Sequence, residues 1–289
     1  MADPVNQNTC LKVDSAGGAA ATADGPHRPD GTGHGLARIG GETAHGRSGH
    51  QILHLLRTGA GALATALWPA RCLVCGDPGE DGRDLCGHCD RDLPWSGVAC
   101  IRCALPLPAA LPGEATTCTL CEHEPPPIRH THAAFSYAVP LDRLLPQLKF
   151  HGDLATGRLC ARLMAERFAD LPAPDALVPV PLHGKRLRER GYNQAREIAA
   201  PLARQLGAPL RDDLLRRVRH TQAQSRLDAD ARQANLEDAF LVRDTRPLPA
   251  HVVLVDDVMT TGATLHAAAW ALREAGVRRV DAWVVARAL

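Results

Sequence analysis

Aromatic side chains are scarce: Phe, Trp and Tyr together make up 3% of the 289 residues. A surface that reads single strands by stacking bases on aromatic platforms is therefore poorly supplied. An excess of one charge is also missing. The chain carries 33 Lys+Arg against 32 Asp+Glu, a formal net charge of +1, which excludes a global basic field for nucleic acid and leaves only local patches. No run approaches the roughly 18–20 consecutive apolar residues of a membrane span. The opening MADPVNQNTCLKVDS has no basic start followed by an apolar block, so it does not read as a secretory signal. The expected compartment is the cytoplasm, where thiols stay reduced and paired cysteines favour metal over disulfides. What is present is ordinary for a globular chain, 45% apolar and 22% charged. The length suits one or two domains whose core needs no disulfides.

Residues 1–50 are rich in Gly, Ala, His, Asp and Thr and lack apolar periodicity. Such a segment cannot bury enough surface to offset its ordering entropy, so a disordered tail is expected, with its histidines and Cys10 incidental. Across residues 51–70, Ile52, Leu55, Leu56, Leu63 and Leu67 fit a short helix broken near Gly59 and Gly61. Its polar face carries only Arg57, which suits packing on a neighbouring domain better than a membrane surface. Residues 71–124 hold the cysteines, and PPPIRH (125–130) reads as a linker.

Residues 130–289 alternate between strand and helix patterns. Strands are expected at 135–139, 175–181, 251–257 and 280–285. Helices are expected at 141–168 (interrupted near Pro146 and Gly152), 193–205 and 264–275, the last closed by Gly276. This alternation predicts an α/β fold with a mostly parallel sheet flanked by helices. Residues 211–240 are polar and Arg-rich, with helical stretches expected.

Four C-x-x-C pairs occupy the 50 residues from Cys72 to Cys121: Cys72/Cys75, Cys86/Cys89, Cys100/Cys103 and Cys118/Cys121. Each spacing lets two thiolates from one tight turn reach one ion, and two such turns complete a tetrahedron. Four turns supply two closed Cys₄ sites, which are structural because no position is left for water or substrate. One isolated C-x-x-C suits redox chemistry. Four in a segment with few large apolar residues suit about two structural zinc ions better than disulfides or an iron–sulfur cluster. Sequential pairing makes two ribbons in series, whereas interleaving joins the first pair to the third and the second to the fourth. Sequential pairing closes shorter loops at lower entropic cost. Cys160, alone in a predicted helix, reads as a small core residue.

The strongest chemical signal is HVVLVDDVMTTGATL (251–265). An apolar strand ends in Asp256 and Asp257, the short loop Thr260, Thr261, Gly262, Ala263, Thr264 follows, and a helix begins. In open α/β sheets, ligands bind outside the carboxyl ends of strands. A helix amino terminus offers unpaired N–H groups and the positive end of a dipole to an anion. Gly262 permits close backbone approach, and the threonine hydroxyls add donors. Acids beside a phosphate are repelled by it and must face neutral hydroxyls or a metal. A ligand with a phosphate at one end and a diol nearby meets both demands.

These residues, VLVDDVMTTGAT, resemble the phosphoribosyl pyrophosphate (PRPP) signature of type I phosphoribosyltransferases. LKFHGD (148–153), VPVPLHGKRLRERGYNQA (178–195) and RRVRHTQAQSRLDADARQANLEDAF (216–240) narrow the match. Together with the cysteine pairs they resemble the ComF family, competence-associated phosphoribosyltransferase-like proteins with an N-terminal double zinc ribbon. The resemblance covers about residues 52–289.

By that resemblance Asp256 and Asp257 are expected to bind ribose hydroxyls and Thr260–Thr264 to wrap the 5-phosphate. Mg²⁺ is expected on the ligand's own oxygens. Lys185, Arg186, Arg188 and Arg190 lie where the family's pyrophosphate loop lies. Between His183 and Arg219 there are ten Lys+Arg and four Asp+Glu, an excess that suits a diphosphate, a nucleic-acid backbone or a solvated face. Thr221, Gln222, Gln224, Ser225 and Arg232 match the mobile loop that closes over PRPP. Lys149, a single charge on a helix, is a ligand candidate weighed against a surface lysine.

The resemblance implies pentosyl transfer, a glycosyltransferase reaction releasing pyrophosphate, in DNA uptake during natural transformation. Single-stranded DNA and a helicase-like competence protein are the implied partners. The alternative is a non-catalytic PRPP- or DNA-binding factor using its zinc ribbons and Arg-rich loops.

Overall fold

The computed structural model describes residues 69–108, 116–219, 239–243 and 247–289. The expected tail (1–50), most of the expected first helix (51–70) and the loop carrying Thr221, Gln222, Gln224, Ser225 and Arg232 lie outside these residues.

The organising element is a four-stranded parallel sheet in the order β1–β6–β5–β2. Its strands are β1 (Thr131–Ser136), β2 (Ala176–Pro179), β5 (His251–Met259) and β6 (Arg279–Arg287). A separate antiparallel pair joins β3 (Leu215–Arg217) to β4 (Phe240–Val242). Between β1 and β2 run α3 (Leu141–Phe150) and α4 (Leu154–Arg167), and between β2 and β3 run α5 (Gly184–Arg190) and α6 (Gln194–Leu206). Helix α7 (Ala263–Glu274) connects β5 to β6. Short helices α1 (Gly87–Arg91) and α2 (Thr119–His123) belong to the cysteine-rich segment.

The central strands β5 and β6 are buried on both faces, which is why they read as near-continuous apolar runs. The pleat sorts them cleanly. Val253, Val255, Trp283 and Val285 face the side covered by α3, α4 and α6. Val252, Leu254, Val280, Ala282 and Val284 face α7 and the β3–β4 pair. Both outer edges are covered. Trp95 bridges antiparallel to Phe135 of β1, with Ser96 N–H on the Ala134 carbonyl at 2.9 Å and the two rings tilted by 38° with centroids 4.5 Å apart. On β2, Leu177 N–H meets the Pro209 carbonyl at 2.8 Å, and Arg211 N–H returns to Leu177 at 2.9 Å. An edge closed this way cannot recruit a foreign strand.

Several expectations move. The first strand lies at Thr131–Ser136, ahead of its expected place, and the segment read as a linker is anchored in front of it. Ile128 is fully buried, and Arg129 N–H bonds to the Val280 carbonyl at 2.8 Å. Of the two expected helix interruptions, the one near Gly152 is present at His151–Asp153, whereas Pro146 sits inside α3. Asp153 caps α4 by accepting from the Ala155 and Thr156 N–H groups. Lys185, Arg186, Arg188 and Arg190, read as a loop, stand on a helix. His183 Nδ1 accepts from Lys185 N–H at 3.3 Å to open it, and Gly191 at φ +85° closes it. In residues 211–240 the described parts form the short strands β3 and β4, not helix. Cys160 is a buried core residue, its thiol pushed up to about 12 by burial.

Leu254 is fully buried between β5 and α7. Leu254→Ala is expected to destabilise the chain by about 2–5 kcal/mol, read as a lower urea midpoint at unchanged slope.

Candidate functional site

β5 crosses the core between β2 and β6, and its last residues emerge at the carboxyl edge of the sheet. Side chains on a strand alternate, so two consecutive acids there must part. Asp257 follows Val253 and Val255 toward α3, where Lys149 Nζ lies 3.2 Å from its Oδ2. That contact is an ion pair without hydrogen-bond alignment, so the buried Oδ2 has a charge partner but no donor. Its Oδ1 accepts from Val258 N–H at 2.8 Å. Asp256 follows Val252 and Leu254 toward the β3 side and accepts from Asp257 N–H at 2.9 Å through Oδ1. Burial, then the adjacent Asp257 carboxylate, push Asp256 well above the ordinary carboxylate range, against the pull of Lys149. On β3, burial and then the Arg186 charge hold Arg217 below its ordinary range, while Asp256 pulls it back up.

The turn after β5 is built around Gly262, at φ +79°. A Cβ there would stand 2.5 Å from the Met259 methyl carbon and 3.0 Å from His266 Nε2. Only glycine satisfies both the left-handed backbone and the tight floor. Thr260 and Thr261 are exposed; Ala263 and Thr264 are half-buried. Thr261 Oγ1 accepts from Ala263 N–H at 3.4 Å. First-turn N–H groups of a helix have no partner four residues back, so those of α7 lie at this turn without an intrahelical acceptor. The turn and the acid pair thus share one edge.

The basic residues divide between two places. Arg190 stacks on the exposed Phe150 ring, 5.5 Å from its centroid, and its Nη1 is buried without a partner. Lys149, the neighbour of Phe150, holds Asp257, so both contacts belong to the α3 end beside the acid pair. Lys185 instead lines a groove of about 530 Å³ with Arg188, Arg216, Arg217 and Arg243. The two acids of that groove, Asp212 and Asp213, are engaged by Arg196 at 2.7 Å and Arg211 at 2.9 Å. Neither Asp256 nor Asp257 lines it.

Sequence reasoning passed over Tyr192, His266 and Arg287. Tyr192 Oη donates to the Leu148 carbonyl and accepts from Gly152 N–H at 3.2 Å, fixing the end of α3 that carries Lys149. His266 lies beneath the turn, where burial and the Arg287 charge hold its imidazole below the ordinary value. A tyrosine beside a glycine in GYNQA and an arginine near the carboxyl end carry no spacing signal of their own.

The eight cysteines form two groups, Cys72, Cys75, Cys86 and Cys89, and Cys100, Cys103, Cys118 and Cys121. This is the sequential pairing. Within each group all sulfurs lie within 4.8 Å of one another. Cys75 and Cys86 sulfurs are 3.7 Å apart, and Cys103 and Cys118 sulfurs 3.8 Å. Four sulfurs about 2.3 Å from one ion stand about 3.8 Å apart, so the donor sets fit tetrahedral zinc. They are far too distant for disulfide bonds.

The thiols are tuned in opposite directions. Burial raises the Cys72 thiol, but the backbone N–H groups of Cys75, Cys86 and Val74 outweigh it and bring it down to about 6. In the second group burial is outweighed in the same way, and N–H groups of Cys118, Arg102 and Cys103 bring Cys100 down to about 7. Burial and the neighbouring sulfurs push Cys89 and Cys121 up. One thiolate per group forms readily, whereas the raised thiols, Cys89 and Cys121 above all, need a cation to deprotonate. Elemental analysis is expected to return about two zinc per chain. Stripping the metal with a chelator should unfold residues 71–124 as the freed thiolates take up protons; one zinc or none would overturn the two-site assignment.

Two family models match the chain: a double zinc ribbon domain over residues 63–123 and a phosphoribosyl transferase domain over residues 192–289. The chain is 35% identical over 231 residues to the DNA utilization protein YhgH of Salmonella typhi, covering 76% of this chain and 98% of that protein. It is 34% identical over 211 residues to competence protein F of Haemophilus influenzae, covering 70% and 84%. Among solved structures, the adenine phosphoribosyltransferase of Leishmania tarentolae is 17% identical, with a TM-score of 0.32 over 49% of this chain and 74% of that one. With a relative matched along nearly its whole length, and a double zinc ribbon ahead of a phosphoribosyltransferase-type sheet, the chain belongs to the ComF family.

Proposed function

We propose that the carboxyl edge of β5 binds PRPP. Asp256 and Asp257 hold the ribose hydroxyls, and the turn Thr260, Thr261, Gly262, Ala263 and Thr264 takes the 5-phosphate. The observation that carries this reading is the acid pair placed one left-handed turn ahead of the α7 amino terminus. A diol can bridge two carboxylates that accept but cannot both stay charged unaided, and a phosphate suits the N–H groups beyond them. Lys149 and Arg190 meet the anionic end of the ligand from α3 and α5, and Lys185 from the adjoining groove. Arg232 belongs to the same reading as part of the closing loop.

Outside the two cysteine groups, no cluster of three or more His, Cys, Asp or Glu donors comes together among the described residues. The donors at the turn suit Mg²⁺ only as an ion carried on pyrophosphate and ribose oxygens, where it would neutralise the leaving group. In the transfer reaction a nucleophile forms a bond to ribose C1 as the C1–O bond to pyrophosphate breaks. The protein contributes by fixing the sugar between the acid pair and the turn, and by placing Lys185 and Arg190 where charge grows on the departing pyrophosphate. The competence name of one relative favours a second reading on the same pocket. In it PRPP is bound without turnover, and single-stranded DNA and a helicase-like partner use the basic groove and the ribbons.

Calorimetric titration with PRPP and Mg²⁺ tests the binding. Asp256→Asn with Asp257→Asn is expected to weaken it by about 100-fold or more, from the loss of two charge-assisted contacts, and unchanged affinity would overturn the assigned role. Consumption of PRPP with and without nucleobases and amines then separates enzyme from sensor.

Asp256→Asn alone is expected to leave the free protein at least as stable as wild type. A carboxyl raised in the folded state adds stability below its unfolded value, near pH 4. That stability is lost as pH rises through the folded value. Wild-type melting temperature should therefore fall over that window, and the Asn variant should flatten the fall. Gly262→Ala should strain the turn by about 1–2 kcal/mol and weaken PRPP binding roughly tenfold at unchanged zinc content.

A further inference from the structure

Arg287 closes β6 directly beside Met259, its register partner at the end of β5. Its guanidinium donates from Nη1 to the Met259 carbonyl at 3.2 Å and also to the Ala288 carbonyl. From Nε it donates to the Cys103 carbonyl at 2.9 Å. Met259 is the last strand residue before Thr260, and its methyl group forms the floor under Gly262. Cys103 is a member of the second cysteine group. One half-buried side chain therefore joins the root of the turn to the backbone of the second cysteine group.

The direction of dependence follows from the two ends. The sheet ladder stops at Met259, and beyond it Thr260 and Thr261 are exposed, held within the turn by one long contact from Thr261. The path of the turn is set by how the Met259 carbonyl is held, and both of its hydrogen bonds come from the end of β6, Arg287 and Ala288 N–H. On the other side, Cys103 sits in a ribbon with a small core of its own, built mostly of cysteines. Such ribbons take their folding energy from the metal. Thr131 reinforces the joint: its Oγ1 donates to the Arg102 carbonyl at 2.7 Å, and its N–H to the Ile101 carbonyl at 2.8 Å.

We propose that Arg287 is a positioning residue tying the turn at Thr260–Thr264 to the second zinc ribbon. Order in the turn, and with it affinity for a 5-phosphate, depends on the metal held by Cys100, Cys103, Cys118 and Cys121. The affinity part rests on the reading that this turn takes a phosphate; the anchoring part does not. The first ribbon, whose Cys86 and Cys89 pack on the opposite side of the sheet, has no share in the effect.

The test uses the full chain with Arg287→Gln, Cys121→Ser and, as control, Cys86→Ser. Hydrogen exchange over residues 259–266 is measured beside zinc content and titrations of ribose 5-phosphate and pyrophosphate. Arg287→Gln should keep both zinc ions, speed exchange at the turn about tenfold and weaken ribose 5-phosphate about tenfold. Pyrophosphate affinity should stay within about twofold, because its cations stand on α3 and α5; a general loss of folding would lower both. Cys121→Ser should drop one zinc and reproduce the same selective loss, and Cys86→Ser should drop one zinc without it. Unchanged exchange at the turn in Arg287→Gln, or equal effects from both cysteine variants, overturns the proposal. If the wild-type chain takes neither ribose 5-phosphate nor PRPP, the reading of the preceding section fails, and the exchange data still decide the anchoring.

Discussion

Two acids in succession at the end of a buried strand are an electrostatic problem that the pleat resolves. Alternation sends Asp257 to the α3 face and Asp256 to the β3 face, so each meets different surroundings while both stay at one edge. Asp257 is met by Lys149, whose helix is pinned by Tyr192. Asp256 is left half-buried beside its neighbour, and its carboxyl is raised by burial and by that charge. A pair held this way resists carrying two full charges alone. Much of the architecture keeps this edge in place. β2 and β6 flank β5, α3 supplies the lysine, and α7 begins where the next anion would lie.

The cysteine-rich segment is part of the same mechanical unit. Its Trp95 bridges to the outer edge of β1, and Arg167 of α4 donates to the Ser96 carbonyl at 3.0 Å. Arg162, also of α4, reaches the Asp81 and Gly82 carbonyls at 3.3 and 3.4 Å. These contacts use main-chain oxygens of the ribbons, so they require a fixed backbone rather than particular side chains. Fixing that backbone is what a tetrahedral Cys₄ ion does in a segment with little apolar core. The cysteine-rich segment is therefore joined to the sheet through its covered edge and through Arg287.

Legibility followed the range of each signal. The C-x-x-C pairs and the run from Val252 to Thr264 are local: ligand spacing, strand, acid pair, turn and helix start lie within a few residues, and their chemistry is written in order. The helix α5 was hidden because KRLRER reads equally well as a basic loop, and the capping by His183 and Gly191 decides between the two. The place of β1 was hidden because the linker's Ile128 is drawn into the core and Thr131 is fixed by the ribbon, both nonlocal facts. Lys149 could be named but not ranked, since its value rests on Asp257, 108 positions away.

The sequence by itself determined the two cysteine sets, the α/β alternation and the acid pair ahead of a glycine turn, because each depends on spacing along a few covalent neighbours. Tertiary structure alone decided which cysteines share a site, which acid Lys149 neutralises, and that Arg287 links Cys103 to Met259. Those pairings join residues far apart in the chain. They form only when the sheet order β1–β6–β5–β2 brings their backbones within hydrogen-bonding distance.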